Sequence, residues 1–143
     1  MKLQDVMTKR VFTSTPKTSI KEVADMMKEL NVGAIPIVES NKPVGIITDR
    51  DIVLRTISED KDPANVRASD IMSVDLIFGT PDMDVDDAAA LMSRYRIRRL
   101  PVVENNRIVG IVTLGDLAAN PHVADEAGNA LSDISKPIGP DLQ

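Results

Sequence analysis

Apolar residues recur at helical spacing in two stretches of this chain. Ile20, Val23, Ala24, Met27 and Leu30 form one stripe, and Val85, Ala88, Ala89, Met92 and Tyr95 form the other, as expected of amphipathic helices. Each stripe has a start signal. Ser19 precedes the first, with Glu22 placed to complete a Ser-x-x-Glu capping box, and Asp84 precedes the second. After each helix the pattern shifts to short β-prone runs. Ala34-Ile35-Pro36-Ile37-Val38 is followed by Val44 to Ile47, and Leu100-Pro101-Val102-Val103 by Val109 to Val112. Polar turns separate the members of each pair, which predicts two hairpins. Pro36 and Pro101 point to edge or strand-start positions. Both second strands enter a helix, at Thr48 and at Thr113. The first of these, through Ile57, is apolar on more than one face, and Met26 and Leu91 widen the upstream stripes. Such helices need two neighbours, one of them expected to be a second copy of the chain. A polar linker spans 58–67. Beyond Asn120-Pro121, Val123, Ala127, Ala130, Leu131 and Ile134 predict a docking helix, stopped at Lys136-Pro137 and frayed from Gly139.

The two halves are copies of one another. Residues 5–53 laid over 70–118 agree at about 15 of roughly 49 positions, including the Thr-Pro pairs, Pro36/Pro101 and the closing run. That run is Gly45-Ile46-Ile47-Thr48-Asp49-Arg50-Asp51 in the first copy and Gly110-Ile111-Val112-Thr113-Leu114-Gly115-Asp116 in the second. Each copy reads as short helix, strand, helix, strand, strand, helix. The first repeat is assigned to 1–60 (core 5–57), the second to 61–119 (core 70–119), and the tail helix to 120–143. A half of this size is too small to bury a sufficient core alone, so the copies are expected to pack as a pseudo-twofold pair with a cleft between them.

Composition narrows the function. The net charge of −5 disfavours non-specific nucleic-acid binding, whose affinity comes from neutralised phosphates. The only aromatics are Phe12, Phe78 and Tyr95, too few for a base-stacking platform. No apolar run has a membrane-spanning length and the N-terminus lacks the apolar core of a signal peptide. The absence of cysteine fits a reducing cytoplasm. No nucleophile elbow, P-loop or zincin motif occurs. The methionines fall on or beside apolar helices, where core packing accounts for them, and His122 has no catalytic neighbour in sequence.

Thr-x-x-Asp after a strand has two physical uses. The threonine and the acid can cap the helix and favour its dipole. Alternatively, a helix start beside a strand suits a phosphate, the hydroxyl can donate to it, and a carboxylate can accept from the paired hydroxyls of a ribose.

The duplicated Asp-(Val/Ile)-Met-(Thr/Ser) lead-in, the Thr-Pro pair, the Asn-Val-Gly-Ala-Ile-Pro-Ile-Val and Arg-Ile-Arg-Arg-Leu-Pro-Val-Val strands and the closing Gly-h-h-Thr-x-x-Asp together resemble the CBS domain family. The family is named after cystathionine β-synthase, and the tandem form is known as a Bateman module. The resemblance covers residue 5 to about residue 119. It implies an α/β fold in which each repeat is a small three-stranded sheet with helices packed on it. It also implies a regulatory, non-enzymatic module that binds an adenosine ligand: AMP, ADP, ATP or S-adenosylmethionine.

Carried over residue by residue, one site uses Thr113 and Asp116 with Met7, Thr8, Phe12, Val32 and Gly33. The other uses Thr48 and Asp51 with Met72, Ser73, Ile77, Ile97 and Arg98. The resemblance further implies that Arg99 reaches the phosphate of the Asp116 site, while Arg98 leans toward the Asp51 site. Arg94 and Arg96 are read as a solvated basic face, and Arg50 as either a phosphate ligand or a surface charge. The expected assembly is a homodimer that acts on a separate regulated protein. The alternative is a ligand-free dimerisation scaffold with degenerate sites.

Overall fold

The computed structural model describes residues 1–119 and 124–135. His122, Val123 and the expected stop and frayed end at Lys136, Pro137 and Gly139 lie outside them. The elements run α1 (Leu3–Val6), α2 (Ile20–Leu30), β1 (Ala34–Glu39), β2 (Lys42–Thr48), α3 (Asp49–Ile52) with a π-helical continuation (Val53–Ile57), and α4 (Ala68–Ile71). There follow α5 (Val85–Tyr95), β3 (Arg99–Glu104), β4 (Arg107–Thr113), α6 (Leu114–Ala118) and α7 (Ala124–Ser135).

The chain divides into two compact units that cut across the sequence repeats. Phe12 to Leu76 form one, here the Asp51 unit. Met1 to Val11 join the residues from Ile77 onward in the other, the Asp116 unit.

Each unit is built on one hairpin, β1–β2 or β3–β4, both antiparallel. Ser40-Asn41 and Asn105-Asn106 turn the chain with positive φ at both residues, the two-residue turn whose twist matches that of the strands. A bulge falls at the same place in both, between Ile37 and Val38 and between Val102 and Val103. The sheets are two-stranded, where three strands per repeat were expected. Single bridges, Ser14 to Ile37 and Gly79 to Val102, stand where a third strand would run. The physical reason is the Thr-Pro pair that follows each bridge, because a proline has no N–H with which to extend a ladder.

The strand prolines stand on edge strands, as expected of a two-stranded sheet, and inside those strands instead of at their start. Pro36 opposes Ile46, and Ile46 exchanges both of its backbone bonds with Ser73 instead. Pro101 opposes Ile111, which does the same with Thr8. The proline positions are therefore ones where hairpin pairing requires no N–H.

The stripes pack as their spacing predicts. Ile20, Val23 and Met27 of α2 bury against Ile35, Ile37 and Ile47 in the Asp51 unit. Val85, Ala88, Ala89 and Met92 of α5 bury against Leu100, Val102 and Val112 in the Asp116 unit. Each fully buried Ile or Leu contributes about 1.5–3 kcal/mol. Ser19 caps α2 by accepting from the Glu22 N–H at 3.2 Å, but the Glu22 side chain does not return the bond and no reciprocal box forms. Val66, at the end of the polar linker, is buried in the Asp51 core. The docking helix is present: α7 lies against α5 and α6, with Ala127 and Ala130 buried.

Candidate functional site

The closing motif adopts one geometry twice. Thr48 and Thr113 are the last residues of β2 and β4, extended at φ −106 and −110. Their hydroxyls accept from the N–H of Asp51 and Asp116 at 3.1 and 3.0 Å. The carboxylates in turn accept, through Oδ2, from the N–H of Thr48 and Thr113 at 3.0 and 2.9 Å. Both capping boxes are closed. Capping and ligand binding are nonetheless compatible, because the box uses a lone pair of the threonine oxygen and leaves its O–H to donate elsewhere. It also uses one carboxylate oxygen of two.

Surroundings then distinguish the copies. Asp51 Oδ1 lies 4.0 Å from Arg55 Nε, and Arg55 Nη1 also donates to the Ile71 carbonyl at 2.8 Å. Asp116 Oδ1 has no partner among the described residues. Arg55 was missed at the level of sequence, although an acid and an arginine at i,i+4 on a helix are a readable signal.

A backbone bond ties each motif to the residues ahead of its first strand. The Asp49 N–H donates to the Gly33 carbonyl and the Leu114 N–H to the Arg98 carbonyl, both at 3.0 Å. In the Asp116 unit this sets Arg98 and Arg99 beside Thr113, which is also the register partner of Arg99. Neither guanidinium has an ion-pair or hydrogen-bond partner among the described residues. The helix start contributes less than expected, because α6 has only five residues and its dipole is correspondingly small. The two arginines supply the positive charge there.

Met7 and Thr8 belong to the same unit as Thr113 and Asp116. Thr8 exchanges both backbone bonds with Ile111, and Met7 Sδ lies 2.5 Å from where a Cβ on Gly110 would stand. Met72 and Ser73 hold the matching positions beside Thr48 and Asp51, with Met72 Sδ 2.5 Å from a Cβ on Gly45. These two glycines are required by close approach and not by backbone conformation. Phe12, Val32 and Gly33 lie in the Asp51 unit; Phe12 and Val32 are exposed and Gly33 half-buried. Ile77, Ile97 and Arg98 lie in the Asp116 unit, the two isoleucines packed on its core and Arg98 exposed. Arg50 is exposed, as are Arg94 and Arg96.

A recess of about 410 Å³ opens in the Asp116 unit. Arg98, Arg99, Thr113, Leu114, Gly115 and Ala118 line one side, and Ala127, Gly128 and Leu131 of α7 the other. The α7 wall was not anticipated from the sequence, because its packing on α5 and α6 is a tertiary event.

The CBS domain family model matches residues 3–57 and 68–122. The chain belongs to the CBS domain family. A CBS domain-containing protein of Bacillus subtilis, YhcV, is 47% identical over 133 residues, covering 93% of this chain and 94% of that one. Inosine-5'-monophosphate dehydrogenase of Methanocaldococcus jannaschii is 34% identical over 118 residues, covering 81% of this chain but 23% of the enzyme. The crystal structure of the CBS domain pair of protein MJ0100, in complex with 5'-methylthioadenosine and S-adenosyl-L-methionine, superposes with a TM-score of 0.76. It is 34% identical and covers 83% of this chain and 94% of that one. The chain is thus a tandem CBS pair of mixed helix and strand. Among the described residues, no helix is long and apolar enough to cross a membrane.

Proposed function

We propose that this CBS pair is a regulatory module that binds an adenosine-containing ligand and acts by binding, with no reaction of its own. The observation that carries the reading is the state of the two capping boxes. Each leaves a threonine O–H and a carboxylate oxygen uncommitted by the cap, so one short turn offers a donor for phosphate and an acceptor for ribose hydroxyls. The adenosine ligands in the MJ0100 pair support the same class. A ligand that prefers one arrangement of the protein over another shifts its population, and a separate protein that reads the arrangement receives the signal. The absence of cysteine supports a cytoplasmic setting.

Calorimetry of the full chain against AMP, ADP, ATP and S-adenosylmethionine tests this. At least one should bind below about 1 mM. Asp116→Ala and Asp51→Ala should each weaken one site by at least about tenfold, because a hydrogen bond to a charged group is worth about 1.5–3 kcal/mol. No binding below about 1 mM would overturn the reading.

A second reading, a dimerisation scaffold without ligand, draws on Val53, Leu54 and Ile57. These side chains of the π-helical turn are 55, 45 and 56% exposed and suit a homodimer contact. The two readings separate in a thermal melt. A ligand at about 100 times its Kd stabilises by about 2.7 kcal/mol, whereas a scaffold melts at the same temperature with and without nucleotide.

A further inference from the structure

The helix that follows the closing motif is built differently in the two units. In the Asp116 unit α6 is α-helical from Leu114 to Ala118. In the Asp51 unit α3 gives way after one turn to the π-helical stretch Val53–Ile57, and the Ser58 N–H donates to the Val53 carbonyl at 2.8 Å. Single π turns are rare and are found mostly at functional positions. Thr56, inside this one, is fully buried, and its hydroxyl has no partner among the described residues. A buried hydroxyl without a bond is destabilising. α-Helical bonding offers a remedy, because a threonine in an α-helix can donate to a carbonyl three or four residues earlier.

Arg55 offsets that cost. Its Nη1 donates to the Ile71 carbonyl at 2.8 Å, and its Nε lies 4.0 Å from Asp51 Oδ1. Ile71 ends α4, and its carbonyl directly precedes Met72 and Ser73, the lead-in whose Ser73 exchanges both backbone bonds with Ile46. One guanidinium in the π turn thus joins the motif acid to the lead-in of the same unit. Oδ1 is the oxygen that the capping box leaves unused, since the box takes Oδ2. A separation of 4.0 Å is too long for a hydrogen bond, so Oδ1 is held by charge and still has lone pairs to offer a ligand. The position matching Arg55 in the second copy is the uncharged Asn120.

We propose that Arg55 is a positioning residue of the Asp51 site, and that a ligand hydroxyl on Asp51 Oδ1 shifts the Val53–Ile57 turn from π to α bonding. The proposal rests on the adenosine reading above and adds the means by which this site reports its ligand. In the free protein the Arg55 contacts hold the π turn against the unpaired Thr56 hydroxyl. A ribose hydroxyl that donates to Oδ1 competes with the guanidinium for the carboxylate and withdraws part of that support. The turn then relaxes into the arrangement that gives Thr56 a partner. A ligand moves such a balance only through its preference for one arrangement.

The test uses the full chain carrying Asp116→Ala, so that the Asp51 site dominates binding, with AMP, ATP and S-adenosylmethionine as probes. NMR couplings across the Ser58 N–H hydrogen bond report which carbonyl accepts it. Without ligand the coupling should be to Val53, and at saturation with a bound probe to Leu54. The probe 2′,3′-dideoxy-ATP, which lacks both ribose hydroxyls, should leave the Val53 coupling in place. Arg55→Gln should show the Leu54 coupling without ligand and bind the probe at least about threefold more tightly, because the competent arrangement is already populated. Arg55→Lys, which restores a cation, should return the coupling to Val53. Thr56→Val removes the unpaired hydroxyl at a position outside the candidate ligand residues. It should raise the melting temperature, keep the Val53 coupling with ligand present, and weaken binding at least about threefold. A purely structural role for Thr56 predicts no loss of affinity in a stabilised variant.

A coupling that stays on Val53 in every state while a probe binds would overturn the proposal and leave the adenosine reading standing. Unchanged affinity in both Arg55→Gln and Thr56→Val would do the same. If no adenosine compound binds the native chain below about 1 mM, the adenosine reading falls and takes the proposal with it.

Discussion

The Asp51 and Asp116 units carry the same strand-to-helix turn, the same closed capping box, the same bulged hairpin and the same methionine against a strand glycine. Their charges differ. Asp51 has Arg55 at 4.0 Å, exposed Asp49 and Arg50 inside the motif, and uncharged Gly33 and Ala34 at the entry to the first strand. Asp116 has no cation assigned to it among the described residues, buried Leu114 and small Gly115 inside the motif, and Arg98 and Arg99 at the entry to the first strand. The shared features are those that backbone pairing and close packing demand. The divergent positions cluster at the open end of each hairpin, at the start of its first strand and just beyond its second, and not in its middle. On the adenosine reading proposed above, a duplicated scaffold keeps one mode of holding a sugar while its two sites come to favour different tails.

The largest expected effect tests the shared part of the comparison. Gly45→Ala and Gly110→Ala place a Cβ 2.5 Å from Met72 Sδ and Met7 Sδ. Overpacking of this kind costs about 1–3 kcal/mol, and urea unfolding should show comparable losses for the two variants. Met7→Ala combined with Gly110→Ala should recover part of the loss, since the clash is then relieved. A neutral Gly110→Ala beside a damaging Gly45→Ala would break the equivalence of the two hairpins.

Next in size is the cap. Thr48→Val and Thr113→Val remove the hydroxyl that accepts from Asp51 and Asp116, which should cost about 0.5–2 kcal/mol in each unit. The comparison sharpens in binding. Among the described residues only Thr113 stands beside two guanidiniums without a partner, so Thr113→Val should weaken ATP more than adenosine. Thr48→Val should show the same bias to a smaller extent. Calorimetry with the two ligands decides it, and a larger loss of ATP selectivity on Thr48→Val than on Thr113→Val would reverse the assignment of charge to sites.

The sequence disclosed the elements whose causes are local. Ile20 to Leu30 and Val85 to Tyr95 are the helices that their stripes predict, to the residue. The polar turns at Ser40-Asn41 and Asn105-Asn106 close hairpins, and Thr48 and Thr113 begin helices. Features set by distant segments were less legible. Nothing local in Val66 distinguishes a linker residue from a core residue; it is buried because Ile20 donates its N–H to the Val66 carbonyl. Thr56 reads as a surface residue on a helix, yet the shift to π-helical bonding, with Ser58 donating to Val53, accompanies its burial with no partner for its hydroxyl among the described residues. Bonds from Ser14 and Gly79 replace a third strand, because a Thr-Pro pair reads equally well as a strand end or a turn. The candidate ligand residues were legible where they belong to the repeated motif. Arg55 was readable from its i,i+4 spacing to Asp51 and was overlooked, whereas the α7 wall was not legible, because it depends on how the tail packs on α5 and α6.

The smallest effect concerns the Thr-Pro pairs and needs no ligand. In the Asp116 unit Thr80 donates its hydroxyl hydrogen to Asp82 at 2.7 Å, and this bond, foremost, holds the Asp82 carboxyl below its ordinary value. In the Asp51 unit the matching position is Lys17, and Thr15 instead meets the Thr18 hydroxyl at 3.2 Å. A carboxylate whose folded-state pKa is depressed favours the folded protein above its unfolded-state pKa, and that contribution disappears as pH falls through the folded-state value. Asp82 is exposed to solvent, so the stability at stake is small. The titration itself is the readout: Thr80→Val should move the Asp82 carboxyl upward toward the ordinary aspartate value in an NMR pH series. Thr15→Val should leave every carboxyl of its unit where it was, since no acid accepts from Thr15. An unmoved Asp82 in Thr80→Val would show that its own backbone, the next cause in size, sets the value. The Thr80 bond would then distinguish the two turns in geometry alone, their charges differing already through Asp82 and Lys17.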